Sequence, residues 1–172
     1  TPGTLIASFT DSLPGNSGLP LSDGLKTVHN SFSDGYWHVT PGNSFAFGGG
    51  YSLDLTGNGF TEFIIDTSTR IITRSNSSGN WAANGYHVIG TGNTASRASM
   101  TTLPAQYAFG DDTDCSIPVI WTGTTSSDWS VGSNWSTNEV PIKCSRVRID
   151  SSSNNPIINS DITIDSLTIN PR

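Results

Sequence analysis

Residues 121–136 read WTGTTSSDWSVGSNWS, and VPIKCSRVRID follows at 140–150. Trp121, Trp129 and Trp135 are three of the chain's five tryptophans, and only Gly, Ser, Thr, Asn, Asp and one Val separate them. No apolar stripe of helical period can form there. Serine, threonine and glycine at this density disfavour helix and supply turns, whereas each indole has a large apolar surface to bury. The stretch therefore reads as a loop-rich junction pinned into a core by tryptophan anchors, with a strand beginning at Arg146. A competing reading makes the same rings exposed stacking platforms for sugars.

Working outward, Cys115 and Cys144 lie on either side of this stretch, and neither belongs to a C-x-x-C pair. An even cysteine count in a chain of exported character favours a disulfide, worth roughly 3–4 kcal/mol if unstrained; two buried free thiols are the alternative. RVRID alternates Val147 and Ile149 with Arg146, Arg148 and Asp150. Beyond it, Ile157, Ile158, Ile162, Ile164, Leu167 and Ile169 place six strong strand formers between Asn155 and Arg172. A lone strand or hairpin of this kind leaves an unpaired edge, and a unit of this size covers it poorly. The run is therefore expected to be an assembly segment, completed by a longer parent chain or added as a strand to a neighbouring subunit.

Composition supports an all-β chain. Of 172 residues, 47 are serine or threonine, 14 asparagine and 18 glycine, against 13% charged. With two lysines and two glutamates, the usual residues of solvated helix faces are missing. A net charge of −6 without a basic stripe makes nucleic acid and anionic membranes poor partners. No apolar run has the length of a membrane span. Starting at Thr1, the chain is expected to be a processed or excised segment.

The first two-thirds spell short strands separated by turns. LIASFT opens the chain, and residues 11–24 form a loop punctuated by proline and glycine. LKTVHNSF and YWHVT flank Asp34-Gly35 and suggest a hairpin, with Trp37 as the first deep anchor. Tyr51, Leu53 and Leu55 alternate with Ser52, Asp54 and Thr56, as in a sheet with one wet face. FTEFIID, Thr69–Arg74, YHVIG, 95–100 and 106–110 complete about nine strands at a spacing typical of sandwiches. The expected fold is an antiparallel β-sandwich of Ig-like or jelly-roll type over residues 1–112, then a short Trp-anchored, disulfide-closed β unit over 113–172.

The succession W-T-G, D-W, N-W-S, V-P and C-x-R-V-R-I resembles a module of very large secreted bacterial surface proteins. These are adhesin-like proteins exported by the type IX route. The upstream stretch TRIITRSNSSGNWAANGYHVIGTGNTASR is similar to a second module of the same proteins. The resemblance implies an extracellular or cell-surface location and a run of short Ile- and Leu-rich strands after the tryptophan module. It implies little about activity. In such proteins Asp-Ser/Thr-apolar triplets carry O-glycans, which marks Ser12 and Ser166.

Motifs for chemistry are sparse. His29, His38 and His87 are scattered, and no nucleophile elbow, zinc motif or phosphate loop occurs. Asp54, Glu62 and Asp66 would have to serve as paired carboxylates, yet they sit where strand acids face water. Asp111, Asp112 and Asp114 are hard oxygen ligands for calcium or simply a solvated acidic turn. Asp54, Thr56, Asn58 and Gly59 begin like a calcium loop, but Ile65 replaces the acid that would close it. Asn76 and Asn134 open formal N-glycosylation triplets. The sequence therefore reads as a non-enzymatic structural module of an extracellular fibre or adhesin, partnered by itself or by neighbouring modules. The alternative is a glycan-binding module using exposed aromatics.

Overall fold

The computed structural model describes residues 3–43, 45, 48–61, 64–103 and 106–170. All its regular elements are strands, apart from one 3-10 turn at Gly132–Asn134. The chain divides into two compact units, Thr1–Thr113 and Asp114–Arg172.

In the first unit the strands are β1 (Leu5–Thr10), β2 (Leu21–Asp23), β3 (Lys26–Val28), β4 (Asn30–Ser31), β5 (Tyr36–Pro41), β6 (Tyr51–Thr56), β7 (Arg70–Arg74), β8 (Tyr86–Val88), β9 (Thr94–Met100) and β10 (Gln106–Asp111). All pairings are antiparallel. β10 is the axis of the larger sheet: β7 runs along one side, and β5 then β4 share the other. Among the described residues β1 pairs only with β5 and forms an edge. β9 lies between β6 and β8 in a second sheet, and β2 and β3 form a separate hairpin. The sheets pack in a sandwich-like way, with the Tyr51 hydroxyl 2.9 Å from that of Tyr107.

Alternation along β10 explains its complete burial. Ala108 faces Val28, Ile72 and Trp81, whereas Phe109 enters an aromatic cluster with Phe32, Trp37 and Phe60 at centroid distances of 5.1–5.5 Å. A strand apolar on both faces needs cover on both, and the chain supplies it with the β2–β3 side and the aromatic side.

Two sequence expectations fail here. Asp34-Gly35 does not close a hairpin, because β3 turns back on β2 while β4 and β5 both pair with β10. Pairing with the all-buried β10 outweighs the local turn signal. None of the described residues of FTEFIID is in a strand: Phe60 goes to the aromatic cluster and Asp66 accepts hydrogen bonds from Ser68 and Thr69. Phe47, Glu62 and Phe63 lie outside the described residues.

A charged group unforeseen in the sequence lies between β2, β7, β8 and β9. Arg97 is fully buried and grips Asp23 with two nitrogens, at 2.7 and 3.0 Å. Arg70 Nε lies 3.6 Å from the same carboxylate, and Arg70 Nη1 contacts His87 Nε2 at 3.2 Å. Burial, then the neighbouring Arg70 and Arg97, hold the His87 imidazole below its ordinary pKa, against the pull of Asp23. The unfolded chain thus binds a proton first, so stability is present above about pH 6.5 and is lost as pH falls through the depressed folded value. We expect the wild type to lose melting temperature below pH 6.5 and His87→Asn to lose less in that window. Asp112, paired with Lys26, also has a lowered pKa, so its contribution is lost only below about pH 4, and the comparison is made between about pH 6.5 and 4. Equal acid slopes for both proteins would contradict the assignment.

Candidate functional site

The second unit has three strands, β11 (Val119–Trp121), β12 (Arg146–Ile149) and β13 (Ser166–Ile169), which pair in sequence order and in parallel. The register aligns Val119 with Val147 and Leu167, and Trp121 with Ile149 and Ile169. An isolated parallel bridge, Asp128 to Ile157, links the two connecting loops. Parallel neighbours normally need a helical crossover; here irregular loops make both returns.

The first rung is closed by the tryptophans. Trp121, Trp129 and Trp135 are all buried and join Val119 and Val147 in one core, flanked by Val140, Ile149 and Ile164. Trp135 stands between the other two rings, edge to face, at 4.8 Å from Trp121 and 4.6 Å from Trp129. Two indoles find backbone acceptors, Trp121 on Asn154 and Trp135 on Trp129. Gly123 explains the W-T-G succession: its φ is +59°, and a Cβ there would sit 2.6 Å from the Asn154 carbonyl. The Cys115–Cys144 disulfide, with Cα atoms 5.7 Å apart, ties the segment before β11 to the segment before β12.

The residue that sequence reasoning missed is Asn134. Read as a glycosylation triplet, it is instead wholly buried. Its Oδ1 accepts the backbone N–H groups of Thr125 and Ser126, both at 2.9 Å. Its Nδ2 donates to Ser126 Oγ and the Asp128 carbonyl. One amide thus shapes a loop that has no apolar side chain of its own between Trp121 and Trp129. Asn134→Ala should destabilise the second unit by about 2–3 kcal/mol, because loop donors and acceptors lose their partner. Urea unfolding followed by near-UV circular dichroism of the tryptophans measures this.

The last rung is different. Along the inward columns, Val147 is 2% exposed but Leu167 48%, and Trp121 is 2% exposed but Ile169 66%. β13 has β12 on one side and an open backbone edge on the other. Among the described residues of the expected assembly segment, only Ser166–Ile169 is strand. Ile164 packs on the tryptophan core, whereas Ile157, Ile158 and Ile162 are exposed in irregular chain. The alternating pair Ile162 and Ile164 lies outside β13.

The three candidate calcium ligands have separate engagements. Asp111 is not linker but the buried end of β10, where burial raises its pKa and its Oδ1 accepts the Thr113 N–H. Asp112 pairs with Lys26. Asp114, in the other unit, accepts from the Ser116 backbone and hydroxyl. Among the described residues no group of three His, Cys, Asp or Glu is placed to hold a metal. Ser12 and Ser166 are both exposed. Asp54 bonds the Ser96 hydroxyl, and Glu62 is not described. No family model, curated protein or solved structure matches the chain.

Proposed function

We propose that the chain is a non-enzymatic structural module of an extracellular or cell-surface fibre or adhesin, and that it associates by strand addition at β13. The observation that supports this is the contrast between the capped and open ends of the parallel stack. Val119 and Trp121 are sealed beneath Trp129 and Trp135, whereas Leu167 and Ile169 continue the same columns into solvent. A strand with both its backbone edge and its inward apolar side chains uncovered is a template for one more strand.

The occupant is a second copy, or a neighbouring module of a longer chain acting at higher effective concentration. In the first unit β1 offers the complementary edge: it pairs on one side only, carries no charge, and exposes Leu5, Ile6 and Phe9. Contact from β13 of one copy to β1 of the next is head-to-tail, the arrangement that propagates as a filament wherever its rotation does not close a ring. The disulfide fits an oxidising environment outside the cell. No helix among the described residues is long and apolar enough to cross a membrane.

The test is light scattering of the whole chain beside a Leu167→Lys/Ile169→Lys variant. Both positions are exposed, so the variant should fold and melt like the parent. The parent mass should rise with concentration and the variant mass should not. A parent that remains monomeric at the highest concentration, or a variant that associates equally, would overturn the reading.

A further inference from the structure

The first unit contains a buried cation with no acid. Arg74, at the end of β7, is 5% exposed. Its guanidinium lies 4.1 Å from the Trp81 ring centroid and 5.6 Å from that of Tyr36. Its Nε donates to Gln106 Oε1 at 2.6 Å, and Gln106 in turn meets His38 Nε2 at 3.5 Å. Stacking and this single hydrogen bond fix the plane of the fork.

Its two terminal nitrogens have no hydrogen-bond acceptor among the described residues, and they are not sealed in the interior. Arg74 belongs to the wall of a cleft of about 370 Å³ that is also lined by Ser75, Asn80, Asn84, Thr102 and Leu103. No carboxylate is among the described residues that line it. Asn84 uses its Oδ1 to hold the Thr101 N–H, which leaves its amide N–H groups available to the cleft.

The contrast with Arg97 is informative. That guanidinium is also buried, and it has Asp23 in bidentate contact. Burying a charge without a partner is costly, and a chain of net charge −6 has acids to spare. An immobilised fork without an acid, opening on a cleft of amides and hydroxyls, has the chemistry of a receptor for an anionic ligand. Two parallel N–H donors match the plane of a carboxylate. Asn80, Asn84, Ser75 and Thr102 supply the mixed donors and acceptors that ring hydroxyls need. A bare anion would leave most of the cleft to water.

We propose that this cleft binds an acidic sugar, with the carboxylate of a hexuronate on the terminal nitrogens of Arg74 and its hydroxyls on the flanking amides. The three tryptophans of the second unit take no part, so this site is independent of strand addition.

Titration of the whole chain by two-dimensional ¹H–¹⁵N NMR tests it, with glucuronate, glucose and inorganic sulfate as probes at low ionic strength. Glucuronate should shift the side-chain amides of Asn80 and Asn84 and the Nε–H of Arg74. Its affinity should be about tenfold or more above that of glucose or sulfate, as expected when a bidentate charged pair is added to hydroxyl contacts. Arg74→Lys keeps the charge but loses the fork, and should abolish the preference for glucuronate over sulfate. Since Arg74 is stacked in the interior, a second variant guards against misfolding. Asn80→Asp, at an exposed position on the rim, should weaken glucuronate about threefold or more by like-charge repulsion while leaving melting unchanged. Equal shifts with glucose, equal affinity for sulfate, or undiminished glucuronate binding by a folded Asn80→Asp protein would each overturn the proposal.

Discussion

Trp135→Ala is expected to destabilise the second unit by about 3–5 kcal/mol, the range for truncating a buried aromatic ring. The ring is 1% exposed and stands between Trp121 and Trp129, so its loss opens a void that neither neighbour can fill without leaving its own place. Its Nε1 also donates to the Trp129 carbonyl at 2.9 Å, and that acceptor would be left buried and unpaired. The backbone at Trp135 bridges Trp121, so the damage reaches β11. A unit that spans only Asp114–Arg172 has few other apolar groups with which to compensate. Urea unfolding monitored by near-UV circular dichroism gives the value, and Trp135→Phe should recover part of it. A variant that melts like the parent but loses polysaccharide binding would establish the sugar-platform reading instead.

Asp23→Ala should be comparably damaging to the first unit, at about 3–5 kcal/mol, because it removes the carboxylate from a buried pair and strands the cation. Arg97 is wholly enclosed and Arg70 nearly so, and both are directed at this one acid. His87 has no charge with which to replace it, being held neutral by burial beside Arg70. Replacing Arg97 as well, in Asp23→Leu/Arg97→Met, should restore part of the loss, since an apolar pair avoids the desolvation of those two ions, while the buried Arg70 still lacks its acid. Far-UV circular dichroism during urea unfolding measures both variants. A single substitution that costs under about 1 kcal/mol would place the pair among weakly coupled surface ion pairs.

What the residues disclosed in advance was decided by side-chain chemistry acting locally. Tyr51, Leu53 and Leu55 alternate with polar residues, and they form β6 with Leu55 buried and Ser52, Asp54 and Thr56 in water. The tryptophans are separated by polar residues and one valine, and their large apolar area favoured burial over the sugar-platform reading. The disulfide partners were the chain's two cysteines. Partner choice was not legible, because it depends on contacts distant in sequence. Asp34-Gly35 has the spelling of a tight turn, yet β4 and β5 each pair with β10, about seventy to eighty residues away. The parallel ladder of the second unit was equally hidden, since its returns are irregular loops without helical periodicity.

The candidate edge was legible in part. Six isoleucine and leucine positions marked the right segment, but only Leu167 and Ile169 fall in the open strand, while Ile164 is packed inward. Asn134 escaped notice because a buried amide and a surface amide are spelled alike. Arg74 escaped for the same reason: nothing in RIITR distinguishes the arginine that faces Asp23 from the one without an acid.

The most direct measurement of strand addition is hydrogen exchange resolved by residue, at low and high protein concentration. In dilute solution the open-edge amides of β13 and β1 should exchange rapidly, whereas those of β10 and β11 remain protected. As concentration rises, protection should appear in β13 and β1 together, and it should be absent from Leu167→Lys/Ile169→Lys. Exchange at β13 and β1 that does not change with concentration, or protection that develops elsewhere while these edges stay open, would contradict assembly through the last rung.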